Sequence, residues 1–310
     1  MSPSSFPAPG AVPEAIAARL RELGPGFNLP EVQALYAPLL QAQPREGVVR
    51  HEDLAYGGHG RHRLDVFAPA GAGAGAAAPV LVWFHGGGFI RGSRQARANV
   101  GWWGARQGFV TVLPDYRLAP ESRWPSGPQD VAAVWGWLQV HIESLGGDPR
   151  RIVLAGESAG AAHVAAATLW RRFQPPGWQP AGAALLSGPY NARLEGLART
   201  QFGVETPDPR NEAYFGQDPA DWDAASLVDH IDAAPLPLWI SFAERDLLQM
   251  QVQAGELFAR LVSRHGFAPE LRLLREHNHF SAGHSFNTAD ETVSAPLADF
   301  VRRCTAAAGS

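Results

Sequence analysis

The chain has 310 residues, 45% of them hydrophobic and 18% charged, with 26 Lys and Arg against 30 Asp and Glu for a net charge of −4. That is the make-up of a soluble globular protein long enough for one large core or two small ones. The near balance of charge leaves no basic stripe for nucleic acid and no acidic tail for a charged partner. The only cysteine, Cys304, excludes an intrachain disulfide and a cysteine-based zinc cage.

The N-terminal stretch "MSPSSFPAPGAVPEAIAARL" has no basic start followed by an apolar run, so no signal peptide is expected. Nowhere do eighteen apolar residues run together, so no membrane span is expected and a cytoplasmic protein is the default. Residues 13–42 carry two helical patterns, each opening with Pro in a first-turn position, which suits a small N-terminal cap over residues 1–45. "VVRHEDLAYGGHGRHRLDVFAPA" reads as two strands around a Gly-rich turn, and "GAGAGAAAP" as a flexible surface loop.

From residue 79 the pattern alternates. "PVLVWFH", "GFVTVLPDY", "RIVLAGE", "AGAALLSG", "PLPLWISFAE" and "ELRLLRE" are apolar runs of strand type. Helical patterns fall between and after them, at about 95–107, 127–145, 159–172, 251–265 and 293–304. Unbroken apolar strands alternating with helices predict an α/β domain, here 46–310, with a mostly parallel sheet covered on both faces. Residues 190–235 form a long segment between two strands, rich in Pro, Asp and aromatics, and read as a lid or pocket wall.

Chemistry enters with Gly156-Glu157-Ser158-Ala159-Gly160, set between an apolar strand and an Ala-rich helix. A serine held in a strained strand-to-helix turn needs small neighbours, which the two glycines supply. Ser158 would then stand at the positive end of the following helix. A tight packing turn without chemistry would look the same in isolation. "VWFHGGGF" ends an earlier strand with three glycines. Attack on a carbonyl creates an oxyanion that needs backbone N–H donors at close approach, and Gly87, Gly88 and Ala159 are the candidate donors. Neither phosphate-loop nor dinucleotide patterns occur here, and His85 reads as a scaffold residue.

"HGGGF", "PDYRLAPE" (114–121), "GGDPRRIVLAGESAG" (146–160) and "AERD" (243–246) together resemble the hormone-sensitive-lipase-like branch of the α/β-hydrolase carboxylesterases, over about residues 50–303. The resemblance implies an eight-stranded, mostly parallel sheet, a Ser-Asp-His triad and a cap built partly from the N-terminal helices. Two features depart from the pattern. Glu157 stands where Asp is commoner, and "HNHFSAGHS" is also similar to kynurenine-formamidase-like and feruloyl-esterase-like relatives.

A serine becomes nucleophilic when a histidine takes its proton, and that histidine needs a carboxylate to fix its tautomer. In this fold the order is Ser, acid, His. Asp246 follows an apolar strand 88 residues beyond Ser158, with Glu244 as its competitor two positions earlier. The family's A-E-x-D pattern assigns the acid to Asp246. His277 and His279 could both face one side of an extended chain, so alternation does not choose between them. The resemblance does: relatives carry a histidine followed closely by Phe, thirteen residues past a helix-ending glycine, which is His279 counted from Gly266, with Phe280 after it. Asp115 and Arg117 read as a pair bracing the loop near the oxyanion site. The histidines lack metal-site spacing, so neither metal nor other cofactor is expected.

The expected function is hydrolysis of a small-molecule carboxylic ester through an acyl-enzyme. Phe89, Trp102, Trp103 and Tyr190 would make an apolar, aromatic pocket for short acyl chains or aromatic esters. An aryl-formamidase or amidase using the same site is the rival, and a hydrolase-like fold turned receptor is a second. A homodimer is admitted by the sequence without being specified by it.

Overall fold

Side chains leave a strand alternately to either side, so an unbroken apolar run fits only a sheet buried on both faces. The computed structural model describes residues 10–73, 75–201 and 209–306, and eight strands form one sheet in it, the inner ones being such runs. They are β1 (Val48–Ala55), β2 (Arg63–Pro69), β3 (Ala78–Phe84), β4 (Val110–Pro114), β5 (Gly147–Glu157), β6 (Gly182–Leu186), β7 (Leu238–Arg245) and β8 (Glu270–Asn278). Their spatial order is β1-β2-β4-β3-β5-β6-β7-β8. β2 pairs antiparallel with both β1 and β4, while the remaining pairs are parallel.

Eleven α-helices occur among the described residues: α1 (Glu14–Leu23), α2 (Leu29–Gln41), α3 (Ala98–Arg106), α4 (Ser126–His141), α5 (Ala159–Leu169), α6 (Ala192–Gln201), α7 (Pro209–Phe215), α8 (Pro219–Ala225), α9 (Leu248–Arg264), α10 (Ser281–Ser285) and α11 (Ser294–Thr305). On β3, Val80, Val82 and Phe84 join the core made with α4, α5 and α9, whereas Leu81 and Trp83 join the core made with α3 and α11. The period of two along the strand thus builds both cores at once. Helix α5 is buried nearly all round, which its Ala-rich sequence permits.

Two additions cover the C-terminal edge of the parallel strands. Helices α1 and α2 pack on each other through Ile16, Leu20, Val32 and Tyr36, and Phe280 packs against that cluster. They are tied down where Asn278 Nδ2 donates to Asn28 Oδ1 (3.0 Å) and Tyr36 Oη donates to Asp290 (3.2 Å). The segment read as a long lid contains three short helices, α6 to α8, because its aromatics find partners: Tyr214 stacks on Phe89 at 4.4 Å and Phe215 meets it edge-on. Residues 1–9 of the expected cap, 202–208 of the expected lid and 307–310 of the domain lie outside the described residues. Among the described residues no helix is long and apolar enough to cross a membrane.

Candidate active site

Strand β5 ends at Glu157 and α5 begins at Ala159, so the chain reverses direction at Ser158 with φ 51° and ψ −122°. A non-glycine residue held there is strained and persists only where its surroundings leave no alternative. Here they leave none. Ser158 N–H donates to Leu186 O at 2.8 Å, and a Cβ on Gly160 would lie 2.2 Å from Phe84 O. Glycine at 160 is therefore what lets α5 sit directly on the sheet.

The turn aims Ser158 Oγ at His279 Nε2, 3.1 Å away, and His279 Nδ1 lies 2.6 Å from Asp246 Oδ1. Because a carboxylate only accepts, Nδ1 carries the proton and Nε2 is left as the acceptor for the serine hydroxyl. Asp246 is fully buried. It is satisfied by four donors: His279, the N–H of Leu247 (2.9 Å), the N–H of Ala243 (2.9 Å) and Ser187 Oγ (2.5 Å). A buried carboxylate with that many hydrogen bonds is fixed in position and has its acceptor oxygens satisfied without water.

The glycine loop after β3 passes on the other side of Ser158. Gly87 has φ 144° and Gly88 φ 59°, and a Cβ on Gly87 would lie 1.9 Å from Arg91 O. Ala159, as the first residue of α5, has no intrahelical acceptor for its N–H. The loop is braced from below by ions. The Arg94 guanidinium, mostly buried, bonds to Asp115, to Asp65 (2.9 Å) and to Asp53 (2.8 Å), and Arg94 N–H donates to Asp115 at 2.6 Å. Burial would raise the Asp115 carboxyl, but His85 and the Arg94 N–H outweigh burial and hold it below the usual carboxylate range. His85 stacks on Tyr116, whose hydroxyl donates to His85 O at 2.8 Å.

Glu157 connects the two loops. Its Oε1 accepts Gly86 N–H at 3.2 Å and is paired with Arg97. Burial pushes its carboxyl up, yet the Arg97 charge and hydrogen bonds more than offset this and lower it. Two cavities flank Ser158. One, of about 270 Å³, runs past Gly86, Gly87, Arg91, Ser93 and Arg97 to α2. The other, of about 50 Å³, is walled by Phe27, Phe89, Leu247, Met250 and Phe280, with Glu195, Arg210 and Asn211 from the insertion.

Residues 81–282 match a family described as having the alpha/beta hydrolase fold. The chain belongs to the α/β-hydrolase fold family. Esterase LipI of Mycobacterium tuberculosis is 30% identical to this hydrolase over 71% of its chain and 72% of LipI. Among solved structures, a bacterial heroin esterase superposes with a TM-score of 0.73 at 28% identity, covering 94% of this hydrolase and 98% of that chain. An esterase from the bacterial hormone-sensitive lipase family shares the fold, with a TM-score of 0.70 at 23% identity over 94% and 97% of the two chains. Other curated esterases that it matches are longer, and it spans about half of their length or less. With these relatives, the hydrolase is a carboxylic-ester hydrolase of the α/β-hydrolase fold family.

Of the sequence-derived candidates, Ser158, Asp246 and His279 lie in one hydrogen-bonded line, with Gly87, Gly88 and Ala159 around the serine and Phe89 on the small cavity. Three aromatic candidates lie elsewhere. Trp102 meets Phe67 edge-on at 4.9 Å and lines a separate cleft beside α2. Trp103 packs in the core under α3. Tyr190 is buried behind Phe89, and its hydroxyl accepts Gly188 N–H rather than facing Ser158. Arg117 pairs with Asp130, and the partner of Asp115 is Arg94. Glu244 accepts Glu276 N–H at 2.7 Å. His277 bonds Ser281 and Thr292, and His284 bonds Phe280 O. Sequence reasoning missed Ser187, Arg94 and Arg97. Ser187 follows an apolar strand and could have been suspected from that position alone, but the arginines carry no local signal.

Proposed function

We propose that the protein hydrolyses carboxylic esters with Ser158 as nucleophile, His279 as general base and acid, and Asp246 as the group that orients His279. The hydrogen-bonded line Ser158–His279–Asp246 carries this reading. Ser158 Oγ attacks the acyl carbon as its proton passes to His279 Nε2, and the carbonyl electron pair moves onto oxygen. The N–H groups of Gly87, Gly88 and Ala159 receive that oxyanion. Collapse expels the alcohol, which takes the proton from His279 and leaves the acyl group on Ser158. Water then attacks the acyl-enzyme by the same proton path and releases the acid.

The small apolar cavity supports a short acyl or aromatic group on one side of the ester. Residues 1–45 act as a cap, supported by Phe27, Leu29 and Gln33 on the cavity walls. Residues 190–235 act as a pocket wall, supported by Glu195, Arg210 and Asn211. No cofactor takes part in these steps. Ser158→Ala should lose both p-nitrophenyl acetate hydrolysis and labelling by a fluorophosphonate, with its melting temperature kept. Turnover near that of the wild type in this variant overturns the reading.

A further inference from the structure

The two cavities beside Ser158 differ in chemistry. The small one is mostly apolar, and its two charged residues, Arg210 and Glu195, have opposite signs. The large one is also mostly apolar in its lining, but it carries a surplus of positive charge. Its wall carries Arg91, Arg97, Ser93 and Gln33, against a single carboxylate, Glu157. Glu157 is already paired with Arg97. The Arg91 backbone N–H donates to Gly87 O at 3.2 Å, but its guanidinium has no hydrogen bond or ion pair to any of the described residues, and neither Gln33 nor Ser93 has a side-chain hydrogen bond there. Two guanidiniums and one carboxylate leave the wall with one net positive charge. Asp246 does not offset this from within the pocket, because it lies behind His279 with its oxygens held by four donors. The position of Arg91 is set by the site itself, since its carbonyl lies against Gly87.

We propose that this 270 Å³ cavity takes a carboxylate borne by the ester substrate, and that Arg91 is the residue that recognises it. The inference rests on the esterase reading above and narrows its substrate class to esters with an anionic end. A guanidinium offers a forked pair of N–H donors matched to a carboxylate, and Ser93 and Gln33 supply further donors at the same wall. Arg91 is solvent-exposed, so the pair is screened by water and salt. A preference of roughly two- to fivefold in kcat/KM is the size such a pair supplies.

The test uses size-matched neutral and anionic esters in two pairs. p-Nitrophenyl valerate against p-nitrophenyl hemisuccinate puts the carboxylate on the acyl side. 4-Tolyl acetate against 4-acetoxybenzoate puts it on the alcohol side. The wild type should favour the anionic member in one pair, and the pair that responds identifies the half of the ester held in the large cavity. In Arg91→Gln the anionic-to-neutral ratio of kcat/KM should fall about two- to fivefold in that pair, mainly through KM, and Arg91→Lys should recover part of it. Added salt should lower the wild-type ratio in the same direction. Ratios equal in wild type and Arg91→Gln for both pairs, with the neutral esters still turned over, overturn this inference alone. Failure of the wild type to hydrolyse any of the four esters overturns the esterase reading and this inference with it.

Discussion

Asp246→Asn removes one charge and changes almost no volume, so its effect reports the hydrogen bonding of the site. Asp246 Oδ1 accepts from His279 Nδ1 and Leu247 N–H, and Oδ2 accepts from Ala243 N–H and Ser187 Oγ. An asparagine has one accepting oxygen and one donating NH₂. With the NH₂ on the Oδ1 side, Leu247 N–H faces a donor. His279 must then present its Nδ1 lone pair, which puts the remaining proton on Nε2, facing Ser158. The imidazole can no longer take the serine proton. With the amide flipped, Ala243 N–H is left facing NH₂ and His279 loses its counter-charge. Either way kcat should fall by roughly 10⁴-fold, the loss that follows when a triad acid is neutralised, or about 5 kcal/mol of transition-state stabilisation. One unsatisfied buried N–H should also cost about 1–3 kcal/mol of folding stability. Steady-state p-nitrophenyl acetate hydrolysis and urea denaturation measure the two. Glu244→Gln is the control, since Glu244 bonds Glu276 N–H and Arg245, and should cost less than about tenfold in kcat. If Asp246→Asn keeps more than a tenth of wild-type kcat, or Glu244→Gln is the more damaging change, the reasoning is refuted.

Gly87→Ala places a methyl 1.9 Å from Arg91 O at a φ of 144°, so the loop must move and misplace its donors. kcat should fall about 10²- to 10³-fold, and near-wild-type kinetics would count against an oxyanion role for this loop. Burial, then the His85 charge, pushes His163 down to about 3, and burial, then Arg97, pushes His284 down to about 4. Both are neutral in the folded state, while the unfolded chain takes up protons below about 6.5. Their stability is therefore intact above that pH and is lost as pH falls toward the folded values. From pH 7 to pH 5 each should cost about 2 kcal/mol, roughly 4 together. Urea denaturation at the two pH values checks this; a flat profile refutes it, and His163→Phe should remove about half the slope. Phe27 contacts Phe280 at 5.9 Å and lies under the Arg210 guanidinium at 4.4 Å, so Phe27→Ala opens the small cavity. KM should improve for longer acyl chains relative to acetate, and an unchanged chain-length profile would argue that α1 and α2 only pack on the scaffold.

The sequence by itself determined what is local in origin. Apolar runs specify strands, and an α/β sheet with helices on both faces follows from their alternation with helical patterns. The Ser158 turn and the HGGG loop were legible because each constrains the backbone where it stands: a small-residue turn around a strained serine, and glycines at a φ of 144° and 59°. What long-range packing decides was not legible. His277 and His279 are two apart and would share a face in a regular strand. The chain leaves regular geometry at Glu276, which has φ 62°, and the β7–β8 register shifts after Ala243. His277 is thereby turned inward to Ser281 and Thr292, while His279 reaches Ser158. Asp115 looked paired with its near neighbour Arg117 and instead binds Arg94, because the loop after the glycines folds back over β4. Trp102 looked like a pocket residue until α3 carried it to a different cleft. The set of charged and polar groups on the cavity at Ser158 belongs to this second class. It includes Gln33, Arg91, Arg97 and Glu157, which only the tertiary fold brings to one wall, and no local pattern encodes a wall built from α2 and two separate loops.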